Sequence, residues 1–82
     1  MNGESPTWIP LVGAVEVVVD RVTPVSIHGD PYVDLVVAPD GGAPAAFRVA
    51  AQQFETSPAP GDRVRLHLLM SQVDRVETLP SA

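Results

Sequence analysis

Residues 11–22 read LVGAVEVVVDRV, and this stretch decides the fold class. It alternates two sets of side chains, with Gly13, Val15, Val17 and Val19 on one face and Ala14, Glu16, Val18 and Asp20 on the other. A period of two, filled largely by β-branched residues, predicts a β-strand. Gly13 lies inside the pattern, where a glycine often marks a bend. A long, bent first strand is what a small barrel needs if that strand is to pair on both sides.

Four more strands are predicted from the same alternation and from the turn-forming residues between them. After a lead-in over residues 1–10 and the first strand, the predicted order is a loop over 23–31, a strand over 32–38, a turn over 39–42, a strand over 45–50, a short helical turn over 51–55, a strand over 63–70, a turn at 71–72 and a strand over 73–79. Phe54, in the helical turn, is expected to plug an open end of the sheet.

Length and composition predict one domain spanning residues 1–82, with a core over about residues 11–79. Hydrophobic residues make up 45% of the chain, which is too many for a disordered protein. No apolar run approaches the ~20 residues of a membrane helix, and the N-terminus does not have the pattern of a secretory signal. There are no cysteines, which agrees with a cytoplasmic location.

The element order, three strands, a short helical turn and two strands, resembles the OB-fold (oligonucleotide/oligosaccharide-binding). The residues that carry the resemblance are Val12-Gly13-Ala14-Val15, Pro39-Asp40-Gly41-Gly42, Phe47-Arg48-Val49 and Pro60-Gly61-Asp62-Arg63-Val64. The resemblance implies an all-β domain, a small closed five-stranded barrel with one short helical turn between strands 3 and 4. Closure would remove the exposed sheet edges.

The net charge of −5 requires any nucleic-acid ligand to bind a local basic face. If the strand phases are right, the residues that share such an outward face are Tyr32, Arg48, Arg63, Arg65 and His67. Single-strand binders combine cationic groups with aromatic platforms, and Trp8 could supply a second platform. The first hypothesis is therefore single-stranded DNA or RNA binding. The alternatives are that Trp8 caps the core and that the arginines pair with Asp34, Glu16 or Glu77.

No catalytic or metal-binding arrangement stands out, so we expect a protein that is not an enzyme and has no cofactor. Ser26 and Ser71 lack a nucleophile motif, and a cysteine nucleophile is absent. His28, Asp30 and His67 lack metal-ligand spacing.

Apolar residues predicted on outward positions, Val18, Val36 and Leu69, support a second hypothesis. In it the domain is a protein-interaction or assembly module, either a homo-oligomer or a subunit of a larger complex. A third alternative is another small barrel, SH3-like or TOBE-like, that binds a small oxyanion.

Overall fold

The computed structural model describes residues 7–80, which form an all-β domain with one five-stranded antiparallel sheet. The elements are β1 (Val12–Ile27), β2 (Asp30–Ala38), β3 (Ala45–Ala50), a 3-10 helix (Ala51–Gln53), β4 (Arg63–Leu69) and β5 (Gln72–Thr78). The sheet order is β3-β2-β1-β4-β5. Within the described residues no helix is long and apolar enough to cross a bilayer.

The first strand pairs on both sides, as its length and bend predicted. Its N-terminal half pairs with β4, from Val12 to Val18, and its C-terminal half pairs with β2, from Val18 to Ile27. The register against β2 shifts between Val19 and Arg21, which places a β-bulge at Asp20. The extra residue reverses the alternation of β1. Strict alternation would place Arg21 on the same face as Val17 and Val19, but after the bulge Arg21 points to the opposite face.

The core lies on one face of this sheet. Its fully buried residues are Val17, Val19, Leu35, Val37, Val49, Val64, Leu66, Leu68 and Val76. Trp8, Phe47 and Phe54 are partly buried against them, and the predicted short helical turn is present as the 3-10 helix that precedes Phe54. We call the opposite face, whose side chains alternate with this core, the outer face.

The prediction of a closed barrel is wrong, because the two edge strands form no ladder with each other. Neighbouring strands alternate in direction, so β3 and β5 run the same way and could close only through a parallel pairing. The structure forms a single parallel bridge there, between Phe54 and Val76. The chain from Phe54 to β4 contains Pro58 and Pro60, which cannot donate ladder hydrogen bonds. The sheet therefore stays open between β3 and β5.

The predicted loop over residues 23–31 is also wrong, because β1 continues to Ile27 and β2 begins at Asp30. The two strands are joined by His28 and Gly29 alone, both with positive φ (52° and 85°), as in a type I′ hairpin turn. Pro24 lies inside β1, opposite Val33 of β2. The ladder between β1 and β4 ends at Val18, six residues before Pro24, so no N–H of Pro24 is needed for that ladder.

Candidate functional site

The five outward residues proposed as a binding face do lie on the outer face. Their cross-strand register places Arg48 opposite Asp34, Arg65 opposite Glu16, and Arg63 opposite Val18. His67 alternates with the buried Leu66 and Leu68, and Tyr32 lies two residues before Asp34 on β2 and therefore on the same face as Asp34. The side-chain phases were therefore predicted correctly, and whether these residues bind a ligand depends on what surrounds them.

Arg48 is engaged by a carboxylate from the neighbouring strand. Its Nε donates to Oδ1 of Asp34 at 2.7 Å, and its Nη2 donates to Oδ2 at 2.9 Å. This bidentate pair lowers the pKa of Asp34 through the hydrogen bonds from Arg48, and it raises the pKa of Arg48. A phosphate reaching Arg48 would have to replace a well-placed carboxylate that remains beside it as a like charge.

The pair gives a prediction for acid stability. A carboxyl group whose pKa is lower in the folded state stabilises the fold above its unfolded pKa of about 3.9, and that stabilisation disappears as the pH falls through the folded value. We therefore expect Asp34→Asn to lose less stability than the wild type between about pH 6 and about pH 2.5. Urea unfolding at both pH values measures this. Equal losses in the two proteins would contradict the assignment.

A second set of charges, the ion-pair network, crosses β1, β4 and β5. It consists of Glu16, Glu55, Arg65, His67, Arg75 and Glu77. Arg65 donates to Glu16 at 2.9 Å and to Glu77 at 3.4 Å. A hydrogen bond with His67 is the main cause that lowers the pKa of Glu77. The arginines of this network are thus paired with carboxylates rather than presented to a ligand.

One ring nitrogen of His67 lies at the centre of this network. Its Nε2 is 3.3 Å from Oε1 of Glu77 and 3.1 Å from Nη2 of Arg75. A nitrogen that carries a proton can donate to Glu77, and a bare nitrogen can accept from Arg75, but one nitrogen cannot do both. The imidazole is therefore held by the network in either form.

The cationic residues do not form one continuous patch. Arg48 lies opposite Asp34, which lies opposite Thr23 of β1. Arg65 lies opposite Glu16 of β1. Those two β1 positions are seven residues apart in the chain, which is about 23 Å along the strand at ~3.3 Å per residue. Arg63 lies 3.6 Å from Asp40 in a third, loosely held pair. The outer face thus carries separate ion pairs.

Trp8 is used as a cap on the sheet. Its ring meets Phe47 edge to face with centroids 6.4 Å apart, and its Nε1 donates to the carbonyl oxygen of Ala43 at 2.7 Å. A buried edge and an occupied N–H are what a structural tryptophan shows. Its placement agrees with the capping alternative rather than with a ligand platform.

The structure reveals a cation that sequence reasoning missed. Arg21 lines an open groove of about 480 Å³ on the outer face, together with Thr23, Asp34 and Arg48. Among residues 7–80, no carboxylate lies within 4.0 Å of the Arg21 guanidinium. Strict alternation put Arg21 on the core face, and only the bulge at Asp20 turns it outward. Two adjacent charged residues inside an apolar strand were the available signal.

The largest exposed apolar side chains gather at one end of the sheet. We call this set the apolar end patch, and it consists of Leu11, Val12, Leu69 and Met70, with exposures of 66%, 62%, 57% and 71%. Val12 and Leu69 are cross-strand partners, and the carbonyl of Leu11 accepts a hydrogen bond from the N–H of Ser71 at 2.8 Å. Of the outward apolar residues that the sequence suggested, Val18 and Val36 are half-buried and Leu69 is exposed.

The sequence segments that flank the apolar end patch are poor in charged residues. Residues 9–15 and 66–73 contain no Asp, Glu, Lys or Arg, although the chain as a whole has fifteen such residues, ten acidic and five basic. Large apolar side chains exposed together at one end of a small domain are candidates for an interaction site. The sequence hinted at it only through Leu69, because an end of a strand cannot be distinguished from its middle by alternation alone.

Within the described part of the chain, no three His, Asp or Glu side chains are grouped to hold a metal ion. Comparisons with known protein families, with curated proteins and with solved structures gave no match to this chain. None of these comparisons identifies the OB-fold superfamily that the element order resembles.

Proposed function

We propose that this protein is a non-enzymatic protein-interaction module of the cytoplasm and that the apolar end patch is its contact surface. The observation that carries the proposal is the exposure of four large apolar side chains at one end of the sheet, in sequence segments without Asp, Glu, Lys or Arg. Contact with another protein would remove this surface from water, which stabilises a complex by about 25 cal/mol per Å² before the costs of association.

The alternative is binding of single-stranded nucleic acid across the outer face. Arg21, Arg48 and Tyr32 favour it, because Arg21 and Arg48 line one groove and Tyr32 shares a neighbouring groove with Arg48. The carboxylates paired with Arg48 and Arg65 oppose it, since a phosphate would gain little by displacing them. The protein-interaction proposal therefore ranks first.

The proposal predicts that a partner is lost when the patch is made polar. Val12→Thr with Leu69→Thr keeps β-forming residues at both positions while adding hydroxyl groups. We expect a protein captured by the wild type to fall at least about tenfold in quantitative mass spectrometry, the change that ~1.4 kcal/mol produces. Val25→Thr is the matched control, because Val25 is an outer-face β1 residue outside the patch, and it should retain the partner.

A titration with labelled single-stranded DNA and RNA at low salt separates the two functions. Binding that weakens steeply with salt, and is abolished by Arg21→Glu with Arg48→Glu, would replace the protein-interaction proposal with nucleic-acid binding. Equal capture by the wild type and by the Val12→Thr/Leu69→Thr variant would remove the apolar end patch as the contact surface.

A further inference from the structure

The β4–β5 hairpin that carries part of the apolar end patch turns through an unfavourable pair of residues. Met70 and Ser71 are its two central residues, and both have positive φ, 56° and 62°. A two-residue turn of this type favours Asn-Gly, because glycine and asparagine tolerate the left-handed region. The β1–β2 hairpin meets the requirement with Gly29, and the β4–β5 hairpin does not.

With methionine rather than asparagine at position 70, the exposed tip of the hairpin carries a long apolar side chain. Met70 is 71% exposed and follows Leu69 in the chain, and the next residue, Ser71, donates its N–H to the carbonyl of Leu11. Backbone strain without a gain in the core points to a use outside the core. Methionine is well suited to contact surfaces, because its side chain is flexible and polarizable and adapts to a partner.

We propose that the apolar end patch binds the same patch of a second copy of this chain, forming a two-fold symmetric dimer. This inference rests on the proposed function and names its partner. A two-fold contact brings a surface against itself, so the surface must be compatible with itself in charge and in polarity. The apolar end patch meets both conditions, since it is apolar and uncharged.

Charge favours this end of the molecule over the other surfaces for such a contact. Each chain carries a net charge of −5, so two copies repel each other on average. Contact through the ion-pair network or the Asp34–Arg48 pair would bring carboxylates of both copies together. Contact through the apolar end patch keeps the carboxylates of the two copies apart. A basic partner that is recognised by its charge would instead bind the acidic surfaces of this chain.

The size of the patch sets the strength of the dimer. Stable complexes bury about 800 Å² on each partner, and four side chains with their immediate neighbours provide less. The dimer is therefore weak, with a dissociation constant of about 10 µM to 1 mM.

Sedimentation velocity on the whole chain, from about 1 µM to about 1 mM, tests this inference. The mass should rise with concentration from 8.7 kDa towards twice that value. Added salt should leave the association unchanged or strengthen it, because screening reduces the repulsion between the two acidic chains. Val12→Thr with Leu69→Thr should weaken it at least about tenfold, and the matched Val25→Thr control should not.

A second variant guards against misfolding as an explanation. Met70→Asn with Ser71→Gly installs the residue pair that this turn prefers while removing the apolar side chain, so it should fold well and associate more weakly than the wild type. A wild type that stays a single chain up to about 1 mM would overturn the second-copy inference. So would an association that both patch variants retain or that salt dissolves. Patch-dependent capture of another protein by a single-chain wild type would leave the proposed function standing.

Discussion

Leu66→Ala should destabilise the domain by about 2–5 kcal/mol, the range for removing a fully buried leucine side chain. Leu66 is completely buried, and its strand lies between β1 and β5, where Val15 and Val76 are its cross-strand neighbours. A domain of 82 residues has a total stability of about 4–12 kcal/mol. With no cysteines to form a cross-link, the variant loses a large share of what holds the sheet together.

Urea unfolding followed by tryptophan fluorescence measures this loss, because Trp8 is the single tryptophan and packs against Phe47. Leu69→Ala is the matched control. It makes the same change on the same strand, where the side chain is 57% exposed, and we expect a change within about 0.5 kcal/mol. Similar losses in the two variants would mean that the core does not lie on the face of β4 that carries Leu66.

Alternation was enough to predict which face of each strand is buried. The outward positions predicted for Val18, Arg65 and His67 imply that Val17, Val19 and Leu66 face the core, and all three are fully buried. Such positions are predictable because a shift by one residue would move every side chain of the strand to the wrong face. The same logic placed Arg48 and Arg65 correctly on the outer face.

The features that alternation missed depend on single residues or on partners distant in sequence. The bulge at Asp20 reverses the phase of β1, so the outward position of Arg21 could not be predicted by counting. Closure of the sheet depends on whether β3 meets β5, and nothing local in either strand determines that pairing. The neutralisation of Arg48 by Asp34 required the register between two strands, which the sequence suggested only as an alternative.

The charges on the outer face show why composition alone is a poor guide to a ligand. Arg65 contacts carboxylates on both sides, from Glu16 of β1 and Glu77 of β5. A list of cationic residues on one face does not include these partners, because each comes from a different strand. The side chains of the apolar end patch, by contrast, remain exposed. We therefore favour a protein rather than a nucleic acid as the binding partner.

Met70→Asn with Ser71→Gly should raise the stability of the domain by about 1–3 kcal/mol, because it relieves two residues held in the left-handed region. Each kcal/mol corresponds to a rise of about 4–8 °C in Tm for a domain of this size. Thermal unfolding followed by circular dichroism measures the change. Little is lost from the core in exchange, since both side chains are exposed.

The source of this gain can be separated from the loss of the side chains. Met70→Ala with Ser71→Ala truncates both residues but keeps a Cβ at each positive φ, so it should show no comparable rise in Tm. If the alanine variant gains as much as the Asn-Gly variant, the backbone is not the cause. If the Asn-Gly variant gains nothing, the hairpin does not turn at Met70 and Ser71 in solution. A gain in stability together with weaker self-association would mean that this turn maintains a contact surface at the expense of the fold.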